Sequence, residues 1–250
     1  MGRALPSESN GIAPTTAPRD QATHTLIVSD VHLGLSTSRP GKLLETLRSW
    51  QFRRLILLGD IFHDEEYQRF CSESWAFVRY IRELSMERAA EVIWLHGNHD
   101  RHLAPIIGTL TGIEVRESFV WTQNGHSYMA VHGDCFDWFN HHFRRLGNLI
   151  GRFYALALRL SLGRWLRELD AWHSRVRGVH RKVARRAARF ALAQGVDFIV
   201  CGHTHRPLKR RFRDSSRGGA VTYVNAGSWV DSPASFLTVD GAGIRINHTW

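Results

Sequence analysis

The sequence predicts a layered α/β domain with mixed sheets that can pack face to face. Three observations predict it. Short apolar, β-branched runs alternate with helix-patterned stretches through the first half of the chain and follow one another in the second half. The runs are about four to six residues long and apolar throughout, as strands buried on both faces are. Nearly all of them end in a small polar cluster beside a glycine, and strand ends along one sheet edge are where α/β proteins bind ligands.

Residues 1–22 are rich in Pro, Ser, Thr and Ala without periodicity and read as a disordered tail, which leaves 23–250 as the folded domain. Thr25–Ser29 is the first strand and ends at Asp30-Val31-His32. Pro40–Trp50 is a helix, with Pro in its first turn and Leu43, Leu44 and Leu47 on one face. Leu55–Leu58 is the second strand, ending at Gly59-Asp60, and a long helix is predicted from about Glu66 to Arg88. Val92–Leu95 is the third strand, followed by His96-Gly97-Asn98-His99-Asp100 and a short helical stretch. Ser127–Val131 leads to His132-Gly133-Asp134, and Phe198–Val200 leads through Cys201 to Gly202-His203-Thr204-His205. Val221–Val224 ends at Asn225-Ala226-Gly227-Ser228, and Ser235–Val239 with Ile244–His248 reads as a closing hairpin turning at Asp240-Gly241.

Composition narrows the classes. The 250 residues, 43% hydrophobic, suit one large domain, alone or with an insertion. No stretch of about 20 uncharged apolar residues is present, so no membrane-spanning helix is expected. The N-terminus lacks the apolar core of a secretory signal, and Met1-Gly2 begins like a myristoylation site but has Pro6 where Ser or Thr is wanted. Three sparse cysteines, Cys71, Cys135 and Cys201, suggest reduced thiols and a cytosolic setting. The formal net charge of +10 makes an anionic partner plausible, and it is concentrated. Residues 138–190 hold thirteen Arg or Lys against two Asp or Glu, and the remainder is close to neutral.

Taken singly, each polar cluster reads as an ordinary turn or cap; Asp60 after glycine, for example, is the usual residue of a turn. Five such clusters, each at a strand end, are hard to explain as five independent turns. Together they offer carboxylates, an amide oxygen and imidazoles, with no Cys among the ligand candidates. Oxygen and nitrogen donors mixed in this way suit Mn²⁺, Fe²⁺ or Zn²⁺. Seven ligands are too many for one tetrahedral ion and fit two ions about 3.5–4 Å apart that share a carboxylate.

The order D-x-H, G-D, G-N-H-D, H-G-D, G-H-x-H, from Asp30 to about Ser228, resembles the calcineurin-like metallophosphoesterase superfamily. The resemblance implies a four-layer α/β/β/α sandwich. It implies that Asp30, His32 and His205 hold one metal, that Asn98, His132 and His203 hold a second, and that Asp60 bridges them. It implies that His99 lies beside the scissile phosphate as the catalytic imidazole. The two cations would activate a bridging hydroxide for in-line attack on phosphorus, and His99 would protonate or stabilise the leaving group. Asp100, next in the chain, is a candidate for orienting His99. Asp64 and Asp134 are candidates for holding metal-bound imidazoles, with a helix cap before Glu65-Glu66 as the competing role for Asp64.

Residues 138–190 are expected to form a basic helical insertion, or cap. Arg145, Arg152 and Arg159 recur every seven residues and share a stripe; Val176, Val179, Val183 and Phe190 make an apolar face; Arg181, Arg185 and Arg189 line another; Trp165 and Trp172 lie between. A solvated helix pair, a lipid and membrane-surface site, and a nucleic-acid site all fit such a pattern. Continuous Leu and Phe stripes favour lipid, because nucleic-acid binding wants aromatics interleaved with Arg. A helical insertion placed before G-H-T-H-R-P, residues 202–207, resembles the UDP-2,3-diacylglucosamine hydrolase group, with Asn225–Trp229 also similar. That resemblance implies cleavage of a lipid A precursor's pyrophosphate to UMP and a lipid 1-phosphate, with Mn²⁺ as the usual metal. It also implies acyl chains held under the insertion, through residues such as Arg145, Arg152, Arg159, Trp165 and Trp172. A cytoplasmic protein peripherally attached to the inner membrane is implied as well. His99 stands where the well-characterised branch carries Arg, and Cys135-Phe136-Asp137 departs from its usual continuation, so the match is to the wider group. The alternatives are a phosphodiesterase or phosphatase acting on another anionic lipid or a nucleotide and, from a different class, a non-catalytic nucleic-acid-binding protein on the same fold.

Overall fold

The computed structural model describes residues 23–87, 90–137, 178–213 and 219–250. They form two sheets face to face with helices outside each, the α/β/β/α arrangement. The first sheet has six strands in the order β11-β10-β1-β2-β3-β4. These are β1 (Thr23–Val28), β2 (Phe52–Leu58), β3 (Glu91–Leu95), β4 (Val115–Arg116), β10 (Ala234–Asp240) and β11 (Gly243–Thr249). The run β1 to β4 is parallel, and β10 and β11 close the edge antiparallel as the predicted hairpin. The second sheet has the order β5-β6-β7-β9-β8. Its members are β5 (Ser118–Gln123), β6 (His126–Val131), β7 (Phe198–Cys201), β8 (Leu208–Arg213) and β9 (Ala220–Asn225).

Apolar runs without alternation mean that successive side chains enter different cores. Leu26 and Val28 of β1 point outward, under the helices α1 (Pro40–Ser49), α2 (Ser72–Met86) and α3 (Ala104–Thr111), where Leu43, Leu47, Phe77, Ile81 and Ile107 meet them. Ile27, Ile56, Leu58, Ile93 and Leu95 point inward and meet Trp121, Tyr128, Ala130, Val200 and Val224 of the second sheet. The outer face of that sheet is covered by α4 (Val179–Gln194), whose Val183, Ala184, Ala187, Ala188 and Ala191 lie on Ile199, Val221 and Tyr223.

Two expectations change. The helix from 66 to 88 begins later: Tyr67–Arg69 is a 3₁₀ turn, Phe70 is extended, and α2 starts at Ser72. Phe70 leaves helical geometry to stack on Phe62, with centroids 5.4 Å apart. The basic segment also divides. Its last part, from 179, is a layer of the sandwich and no part of a cap. The buried face is the alanine row with Val183, whereas Phe190 is 38% exposed and Arg181, Arg185 and Arg189 face solvent. Residues 138–177, with Arg145, Arg152, Arg159, Trp165, Trp172 and Val176, lie outside the described residues, as does the tail at 1–22.

Candidate dinuclear metal centre

Five strand-to-loop turns converge at one end of the two sheets. β1, β2 and β3 deliver Asp30, His32, Asp60 and Asn98; β6 and β7 deliver His132, His203 and His205. The turns are tied together through their backbones. Asp30 N donates to Gly59 O (3.1 Å), His32 N to Asp60 O (2.9 Å), Leu33 N to Ile61 O (2.8 Å) and His63 N to Leu33 O (3.0 Å). Glycine is needed where the turns touch: a Cβ on Gly97 would run into Asp60, and one on Gly202 into Ser29 and Asp30. Asp30, His32, Asp60, His203 and His205 all have left-handed backbone, with φ from 50° to 66°. That conformation is uncommon away from glycine and costs on the order of 1 kcal/mol or more per residue. Five adjacent cases in one place mark a site that the surrounding fold holds under strain.

The side chains gather into two trios: Asp30, His32 and His205, and Asp60, His132 and His203. His205 Nε2 lies 3.1 Å and His32 Nε2 3.9 Å from Asp30 Oδ1. The two imidazole Nε2 atoms are 3.3 Å apart. His132 Nε2 lies 3.2 Å and His32 Nε2 4.0 Å from the same oxygen of Asp60, which therefore stands between the trios. The remaining atoms of these side chains are held by the protein. Asp30 Oδ2 accepts from Ser29 Oγ (2.6 Å) and His203 N (2.9 Å), Asp60 Oδ1 accepts from His99 N (2.8 Å), and His132 Nδ1 donates to Leu58 O (2.9 Å).

Among the described residues eleven buried side-chain N or O atoms have no hydrogen-bond partner, and three of them, Asp30 Oδ1, Asn98 Oδ1 and His132 Nε2, belong to the predicted donor set. Stranded polar atoms cost about 1–3 kcal/mol each, and native folds rarely leave them. Asp30 Oδ1 faces His205 and His32, and His132 Nε2 faces Asp60, so these donor atoms meet inside the cluster and the residue types fit a pair of divalent cations.

Electrostatics agree. Burial pushes the Asp30 carboxyl up, but His205 and then His132 outweigh it and hold it at about 2. Burial likewise opposes ionisation of Asp60, and His132, His99 and His32 hold it well below the usual range. Burial would discharge His132 and His205, yet Asp60 raises the first well above its ordinary value and Asp30 raises the second to about 10. His32, squeezed mainly by burial, falls to about 3. Without ions, protons on two imidazoles supply positive charge opposite the two carboxylates.

The half-buried His99 ring stands edge-on to His32 with centroids 4.9 Å apart, and its Nδ1 donates to His63 O (2.9 Å). Asp100 does not take the orienting role expected of it. It is fully buried, and its two oxygens accept Gly97 N (2.7 Å) and Ile61 N (2.8 Å), pinning the β2 and β3 turns to each other. Burial and the neighbouring Asp60 raise its carboxyl to about 6. Asp64 is a turn cap, accepting Glu66 N (2.9 Å) and pairing with Arg69 at 3.0 Å. Asp134 pairs with Arg101 at 3.3 Å.

The carboxylates that do meet imidazoles of the trios are Asp137, 3.3 Å from His203 Nε2, and Asp231, 3.7 Å from His205 Nδ1. Sequence reasoning gave neither of them this role, and it also passed over His63, whose Nδ1 lies 3.3 Å from His32 Nδ1. Asp137 and His63 were within reach of a search for polar residues three to five places past a ligand. Asp231 carries no such signal, because the turn that brings it to His205 is visible only in three dimensions.

Comparisons with known proteins bear on this centre. The family model of calcineurin-like phosphoesterases matches residues 23–207. A UDP-2,3-diacylglucosamine hydrolase from Azotobacter vinelandii is 28% identical over 244 residues, covering 89% of this chain and 97% of that protein. Among solved structures, a novel archaeal phosphodiesterase is similar over 90% of this chain and 99% of its own, with a TM-score of 0.48 and 15% identity. The Vps29 of Chaetomium thermophilum is similar over 91% and 96%, with a TM-score of 0.44 and 12% identity.

Proposed function

This chain belongs to the calcineurin-like phosphoesterase family, and we propose that it hydrolyses the pyrophosphate of a UDP-linked, diacylated glucosamine, releasing UMP and a lipid 1-phosphate. The observation that carries the chemistry is the pair of buried Asp and His trios meeting at Asp60. The substrate reading is supported by the Azotobacter vinelandii hydrolase, which this chain matches over nearly that protein's whole length.

Asp30, His32 and His205 would hold one ion, Asn98, His132 and His203 the other, and Asp60 would bridge. When bound, two such ions supply a nucleophile at neutral pH and neutralise charge on the phosphoryl oxygens. The protein's own groups do the rest. The buried carboxylates and the backbone zipper fix the donors before substrate arrives, so little reorganisation remains for the reaction itself. The carbonyl of His63 only accepts, so His99 Nδ1 carries a proton and Nε2 is the atom left for substrate. When the ring is protonated, Nε2–H donates to the leaving oxygen while the carbonyl supports the ring's positive charge.

The mixed oxygen and nitrogen donors accept Mn²⁺, our choice of metal, and also Fe²⁺ or Zn²⁺. Peripheral attachment to an anionic, cytoplasm-facing inner-membrane surface is part of the proposal. It is supported by the exposed Arg181, Arg185 and Arg189 of α4 and by Arg210 on the edge strand β8, whose alternate neighbours Leu208 and Phe212 pack on the α4 side. Arg206, exposed and next to His205 in the chain, lies with Arg181 near His180: after burial, these two cations lower its imidazole.

The test is hydrolysis of UDP-2,3-diacylglucosamine in mixed micelles with Mn²⁺, alongside bis-p-nitrophenyl phosphate. Release of UMP from the lipid with higher kcat/KM than the aryl ester is expected. Turnover of the aryl ester without UMP release would refute the substrate and leave the phosphoesterase. Tighter binding to duplex DNA than to anionic vesicles, with a steep salt dependence, would turn the basic face towards nucleic acid.

A further inference from the structure

Beside the two trios lies a third group of nitrogens, His32, His63 and His99, that the reaction described above does not explain. His63 follows Asp60 by three residues, and its backbone is the last rung of the zipper joining the β1 and β2 turns, its N–H donating to Leu33 O at 3.0 Å. From that fixed point it makes two contacts. Its side-chain Nδ1 faces His32 Nδ1 at 3.3 Å, and its carbonyl oxygen receives His99 Nδ1 at 2.9 Å. Its ring also lies against His99, with centroids 4.9 Å apart and planes 22° from parallel.

Proton placement admits one consistent arrangement. His32 Nε2 is the atom near Asp30, Asp60 and His205, so it needs its lone pair to serve as a ligand. The single proton of a neutral His32 is then on Nδ1, which donates across 3.3 Å to Nδ1 of His63. His63 therefore carries its own proton on Nε2. We propose that His63 is the positioning residue of the centre: its Nδ1 fixes the tautomer and orientation of the ligand His32, while its backbone carbonyl fixes those of His99. It touches neither the ions nor the substrate. The inference rests on the metal-centre reading and adds to it the group that sets His32.

The two anchors differ in a way that makes the idea testable. Substitution removes the side-chain nitrogen but leaves the carbonyl. Asn places an amide oxygen or nitrogen where Nδ1 of His stands; Phe keeps a ring against His99 but offers no acceptor. Outer partners of metal-bound imidazoles typically contribute about 10–100-fold to metal affinity. The experiment is Mn²⁺ binding by wild type, His63→Phe and His63→Asn, followed by calorimetry and by the Mn²⁺ EPR signal. Folding is checked by far-UV circular dichroism, and kcat and KM are measured on bis-p-nitrophenyl phosphate.

The expected result is a loss of about tenfold or more for one of two Mn²⁺ in His63→Phe, with a changed EPR signal, and recovery to within a few-fold in His63→Asn. The kcat of His63→Phe should recover at saturating Mn²⁺ with KM little moved, because the carbonyl still holds His99. Equal affinity for both ions in wild type and His63→Phe would overturn the proposal. So would an Asn variant that folds but is as weak as Phe, or a third equivalent of metal in wild type that His63→Phe loses, which would make His63 a ligand. If folded wild type binds no Mn²⁺, the metal centre itself is refuted, an outcome separate from any difference among the His63 variants.

Discussion

The two sheets contribute unlike chemistry to one centre. The turns of the six-stranded sheet bring Asp30, Asp60, Asn98 and one imidazole, and the carboxylates are buried to 0% and 2% exposure. To the two trios the turns of the five-stranded sheet bring only imidazoles, of which the His205 side chain is 33% exposed. In the trios, one leaf thus carries negative charge that water cannot reach, and the other carries imidazoles that can take up protons. A buried carboxylate without a cation is costly, whereas an imidazole adjusts by protonation. Each ion would be shared between the leaves.

The largest effect is expected at the shared carboxylate. Asp60→Asn keeps the shape but removes the charge common to both trios. Turnover of bis-p-nitrophenyl phosphate should fall about a thousandfold or more, since metal stabilisation of the transition state is worth several kcal/mol. A fall of less than tenfold would break the idea that this leaf supplies the essential charge. Next comes His99→Ala, which leaves both trios intact; kcat should drop about a hundredfold while bound metal, measured by elemental analysis, stays at two equivalents.

A third test uses pH. In chelator, the raised His205 value means that its pairing with Asp30 stabilises the fold fully below its ordinary 6.5 and less and less as pH rises through about 10. The lowered Asp30 value works at the other end: its contribution is present above 3.8 and lost as pH falls through about 2. The melting temperature of the chelated protein should therefore decline between pH 7 and 10, and added Mn²⁺ should flatten that decline by taking the protons' place. An unchanged slope would show that the imidazole leaf does not carry the exchangeable charge. The smallest effect belongs to Asp64→Ala, whose carboxylate caps a turn and pairs with a half-exposed Arg69; both turnover and stability should shift by about 0.5 kcal/mol or less.

Much of this was legible in the chain because strand ends carry their function in type and spacing. The apolar runs preceding Asp30, Asp60, Asn98, His132 and His203 each became a strand, since nothing else buries both faces of so short a segment. Strands without that pattern were hidden. β8 reads Leu-Lys-Arg-Arg-Phe-Arg, and its charges belong to an edge strand that has to repel further pairing. β4 has only two residues, too few to show any period. Helix α2 was drawn too long because Tyr67 to Phe70 satisfy helical spacing, while the stacking of Phe70 on Phe62 is a long-range gain that local pattern does not carry. At the centre, which side chains come together was legible and what holds them in place was not. Asp100 looked like a partner for His99 by adjacency, yet the amides of Gly97 in its own turn and of Ile61 in the β2 turn captured it.

The left-handed backbone shared by Asp30, His32, Asp60, His203 and His205 limits how the centre can change. Asn and Asp tolerate that conformation best after glycine, and β-branched side chains tolerate it least. An exchange of Asp for Asn at position 30 or 60 is thus conformationally easy and electrostatically decisive. It would switch chemistry off while sparing the scaffold, whereas Val or Thr in the same place would damage both. A lineage built on such turns stands one conservative step from an inert, well-folded descendant free to be put to another use.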